Sequence, residues 1–176
     1  VAATLRRDGT DKFFPNKKYA LFPSVSAAWK ISNEPFLRHV EWVSLLKIRA
    51  SWGKSGQDNL GSSLYGVYKP SDFKVTFNNN STFYIPYLLI SANYPDVSWQ
   101  KTTMKNIGVD FYLFDDRLSG SFDLYRNDVT DLLGNASTSP LAIFSSRPIN
   151  GAHFYRRGWE ITLNSVNLKG KFEWRT

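Results

Sequence analysis

The chain has no cysteine, only two histidines and no long apolar run. Without cysteine there is neither a disulfide framework nor a thiolate metal site. His39 and His153 lie far apart, each without a second histidine or acid at a metal-ligand spacing. No metal or cofactor is expected. A transmembrane helix needs about 18 consecutive apolar residues, and no such stretch exists. The net charge is +7, but the basic residues are scattered and never form the stripe that nucleic acid demands. No Ser-His-Asp or Cys-His ordering supports nucleophilic catalysis. "WGKSGQ" ends like a phosphate-binding loop, yet Ile48 stands where that loop needs glycine and no helix pattern follows, so a plain loop tip is expected. Asp115 and Asp116 form an acidic pair, and their setting predicts a tight turn rather than acid–base chemistry. Asn79, Asn80 and Asn135 open formal glycosylation sequons, which matter only in a eukaryotic secreted protein. No enzyme is expected.

What is present is alternation. Aromatic residues make up 16% of the 176 residues, usual for a sheet-dominated chain of one domain. In "NIGVDFYLFDDRLSGSFDLYRNDV" (Asn106 to Val129), Ile107, Val109, Phe111 and Leu113 share one face; Asn106, Gly108, Asp110 and Tyr112 share the other. After the turn, Leu118, Phe122 and Leu124 alternate with Ser119, Ser121, Asp123 and Tyr125. Side chains of a strand point alternately to two faces, so this is a hairpin with one apolar and one polar surface. The same period recurs over Val1–Arg7, Ser24–Ile31, Leu46–Gly53, Trp159–Leu163 and an unfinished segment at Phe172–Arg175, about seven strands in all. The one helical hint is "SNEPFLRHVEWVS", with Ser32 or Asn33 as cap, Pro35 in the first turn and Phe36, Val40 and Val43 spaced by four and three.

The links are expected to alternate in length. "DGTDKFFPNKK" is a polar loop, and the link around Pro35 is compact. A long loop from Lys54 to Val97 holds "KSGQDNLGSS" and "FNNNST", and "FDDR" is tight. Another long loop covers Thr130 to Arg156, and "VNLKG" is short. Sorting long loops to one end is the habit of outer-membrane barrels. Ten residues rising about 3.3 Å each and tilted near 45° cross about 23 Å, close to an outer-membrane apolar band. Trp42, Trp99, Phe114 and Tyr125 are read as interfacial girdle residues near strand ends. The chain starts at Val1 without a signal peptide and stops with Phe172 and Trp174 still alternating with Lys171, Glu173 and Arg175, which predicts an excerpt from a longer chain. Such a slab, with two unpaired edges, is expected to be insoluble or only conditionally folded alone.

Several strings in order resemble the barrel of SusC/RagA-family TonB-dependent outer-membrane transporters. These are the Arg-Asp-Gly run at Arg7–Gly9, "FPSVSAAW" at Phe22–Trp29 and "KIRASWG" at Lys47–Gly53. "WQKTTMKNIG" at Trp99–Gly108 and "RGWE" at Arg157–Glu160 follow. The resemblance spans nearly the whole chain and thins over 58–92 and 134–152. It implies that residues 1–176 are part of an antiparallel, all-β barrel of about 22 strands. The family's plug, TonB box, signal peptide and terminal strand are absent from these residues. It also implies import of bulky nutrients, oligosaccharides or peptides, with a SusD-like surface lipoprotein, the TonB complex and outer-membrane lipid as partners, in the bacterial outer membrane.

Within such a barrel Ile107, Val109, Phe111, Leu113, Leu118, Phe122, Leu124, Trp159, Ile161 and Leu163 would face lipid. Arg6, Lys30, Lys47, Arg49, Asp110, Asp123, Glu160 and Arg175 would face the lumen, as solvated wall or as substrate contacts. Tyr65, Tyr68, Phe83, Tyr84 and Tyr87 suit stacking on sugar rings and equally suit packing of their own loop. Two other readings share the pattern: a soluble β-sandwich that binds carbohydrate, and a passive porin or adhesin barrel.

Overall fold

The stretch Asn106 to Val129 does form a hairpin. β6 (Gln100–Leu113) and β7 (Leu118–Ser137) pair antiparallel, with Ile107 opposite Leu124, Val109 opposite Phe122 and Asp110 opposite Ser121. The computed structural model describes residues 1–37, 39–61, 64–76, 83–170 and 172–176. The sequons at Asn79 and Asn80, the "FNNNST" stretch and Lys171 lie outside them. The hairpin turn holds Phe114, Asp115 and Asp116 at φ of 57°, 54° and 63°. That left-handed region costs most L-residues about 1–2 kcal/mol, and Asp tolerates it because its short side chain bonds nearby backbone. Phe114 is held there by its N–H, which donates to the Trp42 carbonyl at 2.8 Å, and by its ring, stacked 5.9 Å from that of Trp42.

Around this hairpin lie β1 (Ala2–Gly9), β2 (Tyr19–Lys30), β3 (Val43–Gln57), β8 (Ser146–Leu168) and β9 (Trp174–Arg175). The seven-stranded sheet has the order β1-β2-β3-β6-β7-β8-β9, with every neighbour antiparallel. This is the all-β, up-and-down arrangement that the alternation predicts. β4 (Val67–Pro70) and β5 (Tyr87–Ser91) make a separate hairpin inside the link between β3 and β6.

The structure corrects several expectations. Most of the loop predicted over Thr130–Arg156 is paired: β7 and β8 continue through Gly134 opposite Ile149 and Ala136 opposite Arg147, leaving only 138–145 as the link. A bulge between Val129 and Leu132 hides this, because an extra residue moves the following side chains to the other face and breaks the two-residue period. His153 and Asn135 therefore lie in strands. "GKSGQ" is strand too, with Lys54 opposite Thr103 and Ser55 opposite Thr102. The helical hint yields one 3-10 turn, Ile31–Asn33, without a side-chain cap, followed by separate i→i+3 turns. Phe36 is 67% exposed, so the expected helical stripe has nothing to bury against. The link 31–42 is also longer than 10–18 and 138–145, so length does not alternate; what alternates is the end of the sheet at which each link emerges.

The register arranges the apolar face in rows: Ala27, Ala50, Ile107, Leu124 and Trp159; then Trp29, Ile48, Val109, Phe122 and Ile161. Among the described residues nothing covers them, and Ile107 and Trp159 are 59% and 65% exposed. Burying each such side chain would stabilise by roughly 1.5–3 kcal/mol, which this sheet in water forgoes. The buried cluster lies instead at the loop end: Phe13, Phe22, Leu64, Val97 and Trp99, with the Phe13 and Phe22 rings 5.5 and 5.7 Å from that of Trp99. Trp99 is thus core and no girdle residue. Tyr125 sits mid-strand on the polar face, opposite Asn106 and Gly158.

Candidate functional site

Two features stand out: a charged row on the polar face and an elaborated loop end. The register sets Arg49, Gly108, Asp123 and Glu160 side by side across β3, β6, β7 and β8, and Lys30, Lys47 and Asp110 in the next row. Lys47 Nζ lies 2.9 Å from Asp110 Oδ2, and Arg49 Nε donates to Asp110 Oδ1 at 2.9 Å. Arg49 Nη2 reaches across β6 and donates to both carboxylate oxygens of Asp123, at 3.1 and 3.0 Å. The gap it crosses is Gly108, where an added Cβ would stand 2.3 Å from Asp123 Oδ1 and 2.9 Å from Arg49 Nη2. Two cations and two carboxylates cancel, so this part of the wall is polar but neutral. The four side chains are 17–36% exposed, and partly solvated pairs of this kind contribute about 1 kcal/mol each. Glu160 and Lys30 flank the group and make no ion pair among the described residues. Arg6 pairs instead with Asp8 at 2.9 Å and lies over the Phe22 ring, and Arg175 pairs with Glu173.

At the loop end, β3 and β6 close the 58–99 link with a side-chain clasp: Gln100 Nε2 donates to Gln57 Oε1 at 3.2 Å. The same Gln100 accepts from the Leu133 N–H at 3.2 Å, just past the bulge. Asn150 pins the link to β7 and β8. Its Oδ1 accepts from the Ser98 N–H at 2.7 Å, and its Nδ2 donates to the carbonyls of Ser98 and Asp131 at 2.9 and 2.8 Å. Beside it an open pocket of about 480 Å³ is lined by Asn93, Tyr94, Asp96, Arg147 and Asn150.

The tyrosines separate into two groups. Tyr65 donates to the Phe13 carbonyl at 3.0 Å and stacks on Phe14 at 4.6 Å, holding its own loop to the 10–18 loop. Tyr68 and Tyr87, 65% and 68% exposed, share one face of the β4–β5 hairpin with Pro70 and Leu89. Phe83 and Tyr84 are exposed beside that hairpin, with the Lys74 ammonium 5.8 Å from the Phe83 ring. Gly108 and Asn150 are the residues that sequence reading missed. Neither has a signal of its own, because each matters only once the register sets it between partners.

A family model described as TonB dependent receptor-like, beta-barrel, matches residues 1–176. The chain belongs to the TonB-dependent receptor β-barrel family. It is 30% identical over 178 residues to a TonB-dependent receptor of Formosa agariphila, covering 100% of this chain and 16% of the relative. It is also 30% identical over 175 residues to the TonB-dependent receptor SusC of Bacteroides thetaiotaomicron, covering 97% of this chain and 17% of that protein. The chain therefore spans about a sixth of the length of the curated relatives it matches. Among solved structures, the RagAB peptide importer in its "closed-closed" state superposes with a TM-score of 0.82 at 24% identity, over 96% of this chain and 18% of that one. That likeness establishes the fold: the seven-stranded sheet of this TonB-dependent receptor has the shape of a stretch of barrel wall.

Proposed function

We propose that this chain is a part of the wall of a SusC-like outer-membrane transporter that imports bulky nutrients, oligosaccharides or peptides. It would work with a SusD-like surface lipoprotein and the TonB complex. The observation that carries the reading is the uncovered apolar face in a chain matched along its whole length by the receptor family. In a bilayer those rows, from Leu113 and Leu118 up to Ile107 and Leu124, meet lipid, and their exposure becomes burial. The β-sandwich alternative needs a second sheet over them, and none is present among the described residues.

On the opposite face Lys47, Arg49, Asp110 and Asp123 are charges of the lumen wall, neutralised in pairs, with Arg6 and Glu160 as further lumen residues. A pairwise-neutral wall hydrates a passing solute without trapping one charge sign. Ligand contacts belong to the loop end, to Tyr68, Tyr84 and Tyr87 and the pocket beside Asn150, with Tyr65 as their support. Loops and lipoprotein capture the nutrient, and force from TonB opens the path. The test is deletion of the gene for the full-length receptor, followed by growth on single oligosaccharides or peptides. Loss of growth on one class, reproduced by a TonB deletion, is expected; unchanged growth on every nutrient, or a receptor recovered in the soluble fraction, would refute the reading.

A further inference from the structure

On the apolar face the rows stop on the side of the 58–99 link. The row after Ala50, Ile107, Leu124 and Trp159 reads Trp52, Lys105, Arg126 and Arg157, in register across four adjacent strands. All three cations are exposed. Arg126 is fixed in place: its Nε and Nη2 donate to Asp128 Oδ1 at 3.0 and 2.9 Å, and its guanidinium lies 4.9 Å over the Tyr155 ring. Lys105 and Arg157 stand on either side of it and make no ion pair among the described residues. Three cations thus face one carboxylate. Below them Ile107, Leu124 and Trp159 floor an open groove of about 560 Å³.

Height matters. Strand rise of about 3.4 Å per residue and a tilt near 45° put Lys105 about 19 Å from the level of Leu113, near the far border of an apolar band of about 25 Å. A cation row at that border meets headgroups, and an apolar groove beneath it meets acyl chains. A soluble anion would have no use for the apolar floor.

We infer that Lys105, Arg126 and Arg157 form a binding site for the phosphorylated headgroup of a lipid in the leaflet next to the 58–99 link. The acyl chains lie on Ile107, Leu124 and Trp159. The guanidinium fork of Arg157 suits phosphate oxygens, Arg126 offers the Nη1 side that Asp128 leaves free, and Lys105 adds a point charge. The inference rests on the outer-membrane barrel reading and adds to it a ligand on the outer wall, away from the nutrient path.

The experiment uses the full-length receptor, extracted from its own outer membrane in mild detergent, with bound lipid identified by native mass spectrometry. The double variant Lys105→Gln/Arg157→Gln leaves the Arg126–Asp128 pair intact. It should lose at least tenfold in bound anionic phosphorylated lipid, the class with net negative headgroups, since each cation near an anionic surface contributes roughly fivefold. Zwitterionic lipid should be unchanged, and excess inorganic phosphate should not displace the lipid. Heat-modifiable gel migration checks the fold; should the double variant fail that check, Lys105→Gln alone is read, with a loss of several-fold expected. An unchanged load, an equal loss of both lipid classes, or displacement by inorganic phosphate would overturn the inference alone. A receptor found outside the membrane would overturn the barrel reading with it.

Discussion

Gly108 offers the sharpest test of the charged row. Substitution by alanine places a methyl group 2.3 Å from Asp123 Oδ1 and 2.9 Å from Arg49 Nη2, closer than any real Cβ contact. Both obstructing atoms are side-chain tips, so they swing aside and the strands stay put. Arg49 keeps Asp110 at 2.9 Å and loses both bonds to Asp123. A buried charge-assisted bond contributes about 1.5–3 kcal/mol, but these side chains are partly solvated, which brings the loss down to about 1 kcal/mol. Alanine in a strand recovers about 0.5–1 kcal/mol of backbone entropy relative to glycine, so Gly108→Ala alone should be nearly neutral. The coupling is what reports on the geometry. Asp123→Asn should cost about 1 kcal/mol in the wild-type background and almost nothing in the Gly108→Ala background. The measurement is the denaturant midpoint of the full-length receptor in detergent, followed by tryptophan fluorescence. Equal costs of Asp123→Asn in both backgrounds, within about 0.3 kcal/mol, would show that Arg49 does not use the gap.

Three other substitutions, one with a control on the opposite face, probe different parts of the molecule. Ile107→Lys should lower outer-membrane yield through a cost of about 2–4 kcal/mol near the bilayer midplane, whereas Ser121→Lys on the polar face should leave the yield unchanged. Asn150→Ala removes three hydrogen bonds that pin the 58–99 link and should cost about 2–3 kcal/mol locally, seen as faster protease cleavage within 58–99 while the strands stay resistant. Asp115→Gly keeps the φ of 54° without a Cβ and should stabilise by about 0.5–1 kcal/mol, read as a higher denaturant midpoint.

The strands and their two faces were legible because the alternation of Ile107, Val109 and Phe111 with Gly108 and Asp110 is a local property. So was the turn at Asp115 and Asp116, where residue type and backbone conformation agree. The outer half of β7 and β8 was not legible, because register shifts at Val129–Leu132 and at Leu132–Leu133 break the two-residue period of both strands and the polar stretch after them reads as loop. Lys47, Arg49, Asp110 and Asp123 share one face in the alternation as in the register, but their partners were not visible. That Arg49 reaches past Asp110 to Asp123 depends on the register of three strands and on a missing side chain between them. The row Lys105, Arg126 and Arg157 comes from three separate strands, and only strand pairing lines it up. Trp99 misled for a related reason: position near a strand end suggested an interface, and burial depends on the folded 10–18 and 58–99 links that cover it.

The clasp between Gln57 and Gln100 has an evolutionary consequence. It closes the 58–99 link at its neck, so β3 and β6 pair as they would across a short turn. Closing a longer chain excursion costs little, about 0.6 kcal/mol for each doubling of length. Whatever is threaded between those two glutamines, the sheet below meets the same pair of strand ends. Between its core residues Leu64 and Val97 the segment behaves as a cassette: drift, insertion or exchange there leaves the paired strands beneath in the same register.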